Sequence, residues 1–346
     1  MHLNHIHSLR GIAILFVVFG HALWFQFNWS NNQPTITFLI ELLSNGTILF
    51  VFVAGYLFQY LLPKYHYPKY LKAKLKNVIA PYLLISIPAI AYEIFIGSPS
   101  DKFTQLQDAS APLQVLWFYA VGGGHINYAL WFIPMITLFF IGAPLFALFN
   151  QYPKAYWLLI PLYVLALAVH REPFPIISPL RAFLYFLPIY ITGMFAAQFR
   201  EKLDPVLTKH ALAIGLVLAA IFLCQLFINE HHGIYKTEHM FDMSKGYIDW
   251  LLLQKTLLCF FLIGIYLRYP KLATKPINYL ADISFTVFFI HVYFFAAVYI
   301  LLGHQRFEGS LGLWFVRGCA CILFCVAATW LAKKVLGKYS RPLIGS

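Results

Sequence analysis

Residues 11–27 read GIAILFVVFGHALWFQF, an apolar run whose only ionisable residue is His21. A run of this length approaches the roughly 20 residues that a helix needs to cross the hydrocarbon core of a bilayer. It is long for the apolar region of a signal peptide, and no small-residue cleavage site of the A-x-A type follows it. The stretch therefore predicts an uncleaved first membrane-spanning helix.

The rest of the chain has the same character. Of its 346 residues, 61% are hydrophobic, 18% aromatic and 11% charged, and the mean hydropathy is +0.71. Soluble globular proteins carry about 25% charged residues, so the composition excludes that class. The apolar runs are continuous rather than alternating, which excludes a membrane β-barrel. The sequence predicts an all-α, polytopic membrane protein forming a single domain over residues 1–346. Its ten predicted spans are residues 10–28, 36–62, 78–96, 129–149, 155–169, 182–198, 211–229, 248–268, 277–302 and 310–332.

Basic residues are distributed unevenly between the predicted loops. Of the 25 Lys and Arg residues, 17 fall in the loops of one side and six on the other, while Lys255 and Arg317 fall inside spans. Because cytoplasmic loops are enriched in Lys and Arg, we predict that the rich side, with both termini, is cytoplasmic. The net charge of +12 is then explained by the membrane topology, so no nucleic-acid partner is expected. We expect a multi-pass protein of the inner or plasma membrane. All five cysteines lie in apolar runs, so neither a disulfide framework nor a metal site is expected.

Arg10 and His21 form the most specific pair in the first span. Eleven positions at about 100° each make three turns plus about 20°, so the two side chains share one helix face about 16 Å apart along the axis. Histidine inside a membrane span can serve as a general base or a nucleophile, and arginine can hold phosphates. The alternative is structural: His21 bonds a neighbouring helix and Arg10 anchors the cytoplasmic end.

The Arg-x10-His pattern in LRGIAILFVVFGH (9–21) looks like the first-helix signature of the membrane-bound acyltransferase-3 family, multi-span enzymes that O-acylate carbohydrates at the cell surface. Further stretches resemble family motifs in the same order along the chain. They are LSNGTILFVFVAGYLF (43–58), KLKNVIAPYL (74–83), NYALWFIP (127–134), FLPIYITG (186–193) and DISFTVFFIH (282–291).

Three positions depart from the family pattern. Ala54 stands where serine usually precedes the glycine of the second-helix motif, so no hydroxyl role is assigned there. Asn77 occupies a position that is commonly basic. Ala129 stands where histidine often precedes Leu-Trp-Phe, although His125 lies close by in sequence.

The resemblance implies that Arg10 and His21 are the catalytic signature and that the donor is a cytoplasmic acyl-coenzyme A, with no metal. Its phosphates would be held by Arg10 and a landing surface of lysines, Lys72, Lys74 and Lys76. The same lysines also satisfy the positive-inside rule without any ligand.

Other ionisable residues lie a short way in from the opposite face. We expect Glu41, Lys255 and Arg317 to line an outer vestibule that holds a sugar acceptor together with Trp131, because aromatic faces suit sugar rings. Snorkelling of the two cations and a buried Glu41 pair are the alternatives. His291, seven residues after Ser284, matches the family's late Ser and His pattern and is assigned a supporting role at the acceptor site.

Together these features predict an integral membrane O-acyltransferase, with acetyl from acetyl-coenzyme A as the expected group. The acceptor would be a hydroxyl of a cell-surface polysaccharide or a lipid-linked glycan precursor. His21 would either deprotonate the acceptor for direct transfer or carry the acyl group transiently. A polysaccharide exporter or flippase without transferase activity is the rival function, and a purely structural membrane subunit is a third reading.

Overall fold

The computed structural model describes residues 3–29, 33–97, 103, 106–125, 129–173, 178–242 and 248–345. The backbone of His125 is described, but its side chain is not. Asn127 and Tyr128 of the NYALWFIP motif lie outside the described residues.

The described residues are almost entirely helical. The α-helices, numbered in chain order, are α1 (Asn4–Gln26), α2 (Gln33–Leu43), α3 (Thr47–Leu61), α4 (Tyr67–Lys74), α5 (Ala80–Phe95), α6 (Ala111–Ala120), α7 (Phe132–Ile141), α8 (Ala143–Gln151), α9 (Leu159–Ala168), α10 (Pro179–Gln198), α11 (Arg200–Phe227), α12 (Trp250–Arg268), α13 (Lys275–Asp282), α14 (Ser284–Leu301), α15 (Leu311–Leu336) and α16 (Ser340–Ile344). Two short strands, β1 (Phe27–Asn28) and β2 (Phe307–Glu308), pair in parallel and join the end of α1 to the loop before α15.

Eight segments of the described chain are long and apolar enough to cross a membrane. They are Asn4–Gln26, Pro34–Lys64, Tyr67–Phe95, Pro179–Gln198, Arg200–Phe227, Trp250–Arg268, Ser284–Leu301 and Leu311–Ile344. A ninth would be Ala129–Ile141 with Ala143–Gln151, bent by 52°. The predicted span at 155–169 belongs to the helical segment Pro153–Ala168, which is shorter than the rest. The prediction of an all-α polytopic membrane fold is confirmed, with eight or nine spans rather than ten by length.

The prediction of one helix over residues 277–302 is wrong. The chain breaks at Ile283, between α13 and α14, and only α14 has the length and hydropathy of a span. The residues of α13 are nearly balanced between polar and apolar, and Lys275 and Asp282 are exposed. A short amphipathic helix with charged ends is more stable beside the bundle than as an extension of a span.

The second span is also broken, next to the centre of the bundle. Between α2 and α3 the chain makes a turn in which Asn45 has a φ of 60°, a conformation that asparagine tolerates better than most residues. Both halves continue as one membrane-spanning segment, Pro34–Lys64. The break leaves the carbonyls of Glu41 and Leu42 at the end of α2 open to a partner from outside the helix, whereas the Ile48 and Leu49 N–H groups of α3 donate to the turn carbonyls of Asn45 and Gly46.

Helices α3 and α10 pack unusually closely because each presents a glycine. A Cβ at Gly55 would meet the backbone carbonyl of Tyr190, and one at Gly193 would meet the carbonyl of Phe52. These glycines belong to the second-helix motif and to the FLPIYITG motif. Small residues at helix crossings let membrane helices associate through backbone contact. Packing therefore accounts for both glycines.

Candidate functional site

A cavity of about 710 Å³ runs along α1 and α3. Beside the C-terminus of α3 its lining residues include Lys64, His66, Lys69 and Lys74, which we call the lysine end. Beside the N-terminus of α3 they include Arg171 and Lys236, which we call the Arg171 end. The 15 residues of α3 cover about 22 Å, so the cavity extends across much of a hydrocarbon core of about 30 Å.

Arg10 and His21 both line this cavity, which is what a shared helix face requires. His21 lies five residues before the C-terminus of α1, in the half of the helix nearer the Arg171 end and not at its midpoint. Arg10 lies about 16 Å nearer the lysine end. The structure thus brings the two signature residues into one space at different depths.

His21 is joined to a second histidine from α14. The His21 Nδ1 and His291 Nε2 atoms are 2.7 Å apart, the ring planes differ by 7°, and the centroids are 5.0 Å apart, so the rings meet edge to edge. His291 Nδ1 lies 2.9 Å from the carbonyl oxygen of Val287. A carbonyl only accepts, so His291 Nδ1 carries its proton and its Nε2 accepts from His21 Nδ1.

This hydrogen-bond chain fixes the tautomer of His21. With Nδ1 donating to His291, the Nε2 atom of neutral His21 retains a lone pair on the cavity side. A base that takes a proton at Nε2 becomes an imidazolium, and its Nδ1–H bond to His291 then becomes charge-assisted and stronger. Val287, His291 and His21 therefore form the base-and-orienting-group arrangement that proton abstraction or nucleophilic attack requires.

The lysine end contains the cations expected for a phosphate-bearing donor, but not the full predicted set. Lys74 lines the cavity, with its ammonium 4.8 Å from the Phe140 ring centroid. The Nε atom of Arg10 is buried and has no hydrogen-bond partner in the described part of the chain. Arg341 of α16 lies close enough to interact electrostatically with both Arg10 and Lys74. These three cations converge from the first span, α4 and the C-terminal helix.

Lys72 and Lys76 are exposed and do not line the cavity. Residues two positions apart on a helix differ by about 200°, so both lie on the face opposite Lys74. The structure replaces them at the lysine end with Lys64 and Lys69. The predicted surface of Lys72, Lys74 and Lys76 is thus divided between two faces, and their role in binding stays a prediction.

At the Arg171 end, Trp131 lines the cavity, but its ring is already covered, and sugar binding by Trp131 stays a prediction. The Arg171 guanidinium lies 4.3 Å from the Trp131 ring centroid, and Phe186 stacks on Trp131 at 5.9 Å. Trp131 therefore holds an arginine at the cavity wall as well as offering an aromatic surface.

Arg171 is held by a chain of buried hydrogen bonds. Its Nη1 donates to Asn45 Oδ1 at 3.2 Å, Asn45 Nδ2 donates to the Tyr185 hydroxyl at 2.7 Å, and that hydroxyl donates to Asp249 Oδ2 at 2.7 Å. Asp249 also caps α12 by accepting from the Leu252 N–H at 2.9 Å. Burial lowers the pKa of Arg171 to about 10 and raises the pKa of Asp249 to about 6. The guanidinium remains charged at neutral pH.

Glu41 and Lys255 are placed in protein contacts rather than in the cavity lining. Lys255 is 1% exposed and donates to the carbonyls of Glu41 and Leu42, at 2.8 and 2.9 Å, where α2 ends. Its ammonium thus satisfies carbonyls that the break in the second span leaves open. Glu41 accepts from the Gly233 N–H at 2.8 Å and lies 3.3 Å from His232. These contacts match the buried-pair alternative for Glu41, and sugar binding by either residue stays a prediction.

Arg317 is likewise outside the cavity lining. Its Nη1 donates to Gln26 Oε1 at 2.6 Å, and its guanidinium lies over the Phe307 ring, 4.5 Å from the centroid. It joins the paired strands β1 and β2 to α15. Its predicted contact with a sugar remains untested. Ser284, by contrast, does line the cavity at the start of α14.

Sequence reasoning missed Arg171, Lys236 and Arg341 as site residues. Arg171 and Lys236 are two of the six basic residues on the side that the positive-inside rule leaves poor in cations, which was the signal available. No sequence signal singled out Arg341 from the other cations near the C-terminus, because its proximity to Arg10 depends on how α16 packs.

An all-α bundle of membrane-length helices, with a cavity lined by a histidine that bonds a second histidine, is typical of an integral membrane enzyme. The model of the Acyl_transf_3 family, described as an acyltransferase domain, matches residues 3–333. The chain belongs to this family of membrane acyltransferases, and it is a transferase of acyl groups other than aminoacyl groups. No curated protein and no solved structure matches it.

Proposed function

We propose that the protein is an O-acyltransferase that moves an acyl group, with acetyl expected, from cytoplasmic acyl-coenzyme A to a hydroxyl of a cell-surface polysaccharide or its lipid-linked precursor. The observation that carries the proposal is the cavity itself, which joins a cationic end to a second polar end past the oriented His21. Its volume of about 710 Å³ lies within the roughly 300–1,000 Å³ typical of small-molecule sites.

In direct transfer, His21 Nε2 removes the proton of the acceptor hydroxyl as the oxygen attacks the thioester carbonyl. The carbon–sulfur bond then breaks, and the thiolate of coenzyme A takes the proton from the imidazolium. The products are an ester and the free thiol. In the alternative route, Nε2 attacks the thioester carbonyl, the carbon–sulfur bond breaks, and coenzyme A is released as the thiolate beside an acyl-imidazolium. The acceptor hydroxyl then attacks the acyl carbon, the carbon–nitrogen bond breaks to return neutral His21, and the hydroxyl proton passes to the thiolate, so that the products are again an ester and the free thiol.

The test is acyl transfer from labelled acyl-coenzyme A in proteoliposomes containing the wild type or His21→Ala. We expect the variant to lose transfer by about a hundredfold or more, the range of general acid–base contributions. His304→Ala, an exposed histidine outside the cavity lining, is the matched control. Full activity in a folded His21→Ala protein would exclude the mechanism. A second measurement uses cells that produce the His21→Ala variant. If their glycan reaches the cell surface without its acyl groups, the exporter alternative is excluded.

A further inference from the structure

Arg171 is a buried cation with incomplete hydrogen bonding. It is 3% exposed, and among the described residues its Nε has no partner and its side chain donates to one other side chain, the neutral amide of Asn45. The nearest acidic groups, Asp249 and Glu172, act on it electrostatically without a direct ion pair. Burying an arginine without a paired charge is costly, and more so beside a membrane core.

The protein nevertheless fixes this cation in place. The backbone of Arg171 pairs with the segment around Lys236, with Arg171 N–H donating to Tyr235 O at 3.1 Å and Thr237 N–H donating to Arg171 O at 2.9 Å. Arg181 locks that pairing by donating to the carbonyls of Thr237, at 2.9 Å, and of its neighbours Glu238 and His239. Two loops are thereby held so that Arg171 and Lys236 both reach the cavity.

The ring contacts determine how the guanidinium is presented. Trp131, Phe186 and Tyr185 lie 4.3, 5.3 and 5.9 Å from its central carbon. A guanidinium packed against ring faces can bind further acceptors only along its planar edge, where Nη1 already donates to Asn45. That edge matches the two oxygens of a carboxylate or phosphate. Lys236, on the same wall, is close enough to His21 to interact with it electrostatically. An anion bound at Arg171 would thus lie in the same cavity as His21, the proposed base.

We propose that Arg171 and Lys236 form an anion-binding subsite that recognises a carboxylate or phosphate on the acceptor, so that the enzyme acylates acidic or phosphorylated sugars in preference to neutral ones. This rests on the proposed transferase function. The subsite lies at the end of the cavity opposite the lysine end. The anion it takes therefore belongs to the acceptor and not to the coenzyme.

The test uses three acceptors that share one sugar ring: methyl glucoside, methyl glucuronide and an alkyl ester of glucose 1-phosphate. In wild-type proteoliposomes, we expect kcat/KM at least about tenfold higher for one or both charged acceptors, the ratio expected of one charge-assisted hydrogen-bonded contact. The carboxylate and phosphate arms identify which anion is preferred. Arg171→Met should remove the preference by lowering kcat/KM for the charged acceptors to that for methyl glucoside measured with the same variant, with KM for acyl-coenzyme A unchanged.

Arg171→Lys keeps the charge without the planar edge and should retain part of the preference. Arg306→Met removes an exposed arginine outside the cavity lining and should retain all of it. Equal rates for all three acceptors in the wild type would overturn the proposal. So would an Arg171→Met variant with a raised KM for acyl-coenzyme A, because the anion would then be the donor's.

Binding separates this proposal from the transferase function. Thermal stabilisation of the detergent-purified protein by methyl glucuronide or the glucose phosphate ester is expected in the wild type and in His21→Ala, and is expected to be absent in Arg171→Met. If this binding pattern holds but none of the three acceptors is acylated, the result contradicts the proposed transferase function and not the anion subsite. Equal stabilisation of the wild type and Arg171→Met would contradict the anion subsite, whatever the turnover.

Discussion

His21 is useful to a transferase because of the residue that it donates to. The Val287 carbonyl orients His291, and His291 fixes the proton of His21 on Nδ1. The first-span pattern identifies His21 from sequence, and the late Ser and His pattern identifies His291. Neither pattern shows that the two rings touch, because they are 270 residues apart and meet only when α1 and α14 pack.

Replacing His291 should therefore lower turnover without disturbing donor binding. We expect His291→Ala to lower kcat by about ten- to a hundredfold with KM for acyl-coenzyme A changed less than twofold, because His21 loses its fixed tautomer. His291→Gln, whose amide oxygen can accept from His21 Nδ1, should recover a substantial part of kcat. Steady-state kinetics in proteoliposomes measure both. An alanine variant as active as the glutamine variant would contradict the orienting role.

Asp249 gives the Arg171 end a pH-dependent stability. Its folded pKa of about 6 lies above its ordinary value of 3.8, so the folded protein binds more protons than the unfolded chain between these values. The contribution of this carboxyl to stability therefore rises as pH falls through 6. Between pH 7 and pH 5, the free energy of unfolding of the wild type should rise relative to Asp249→Asn by about 1 kcal/mol.

Unfolding in detergent at the two pH values measures this difference. Glu201→Gln, which removes an exposed carboxylate in the first turn of α11, serves as the control and should give no comparable change relative to the wild type. A constant difference between wild type and Asp249→Asn would show that Asp249 does not titrate in this range.

At the scale of elements, helix geometry divides the three lysines at positions 72, 74 and 76 between two faces. Lys74 faces the cavity, whereas Lys72 and Lys76 face away from it. We expect Lys74→Met to raise KM for acyl-coenzyme A several-fold, and the double variant Lys72→Met/Lys76→Met to raise it much less. The comparison uses initial rates at low ionic strength, where charge effects are strongest. Equal effects would indicate that the coenzyme binds an outer surface of α4.

The crossing of α3 and α10 depends on close backbone contact at Gly55 and Gly193. Gly193→Ala places a methyl group against the Phe52 carbonyl and should destabilise the protein by about 1–3 kcal/mol, as expected for overpacking. Gly312→Ala, whose new Cβ would have 3.9 Å to its nearest neighbour, should be close to neutral or stabilising. Thermal unfolding in detergent compares the two. Equal melting temperatures would mean that the helices can separate at no cost.

At the scale of the whole molecule, the cavity predicts that donor and acceptor arrive from opposite faces. With cysteine-free protein in sealed vesicles, Lys69→Cys and Ile234→Cys should react with a membrane-impermeant thiol reagent from opposite sides, because these residues line opposite ends. Acyl-coenzyme A should support transfer only on the side where Lys69→Cys reacts. Labelling of both from one side would contradict a membrane-crossing cavity and the predicted orientation.

The sequence by itself determined the membrane class, the all-α fold, the membrane-spanning segments and the shared helix face of Arg10 and His21. These follow from local composition and periodicity, since hydrophobic length and the 100° turn of a helix act within one segment. The family was identified from the resemblance of its motifs. The tertiary structure decided which polar groups meet. It showed that Lys255 caps a broken helix, that Lys72 faces outward, and that Arg171, from the cation-poor side, reaches the cavity. Contacts between distant segments depend on packing at glycine crossings and on broken helices, which no local pattern encodes.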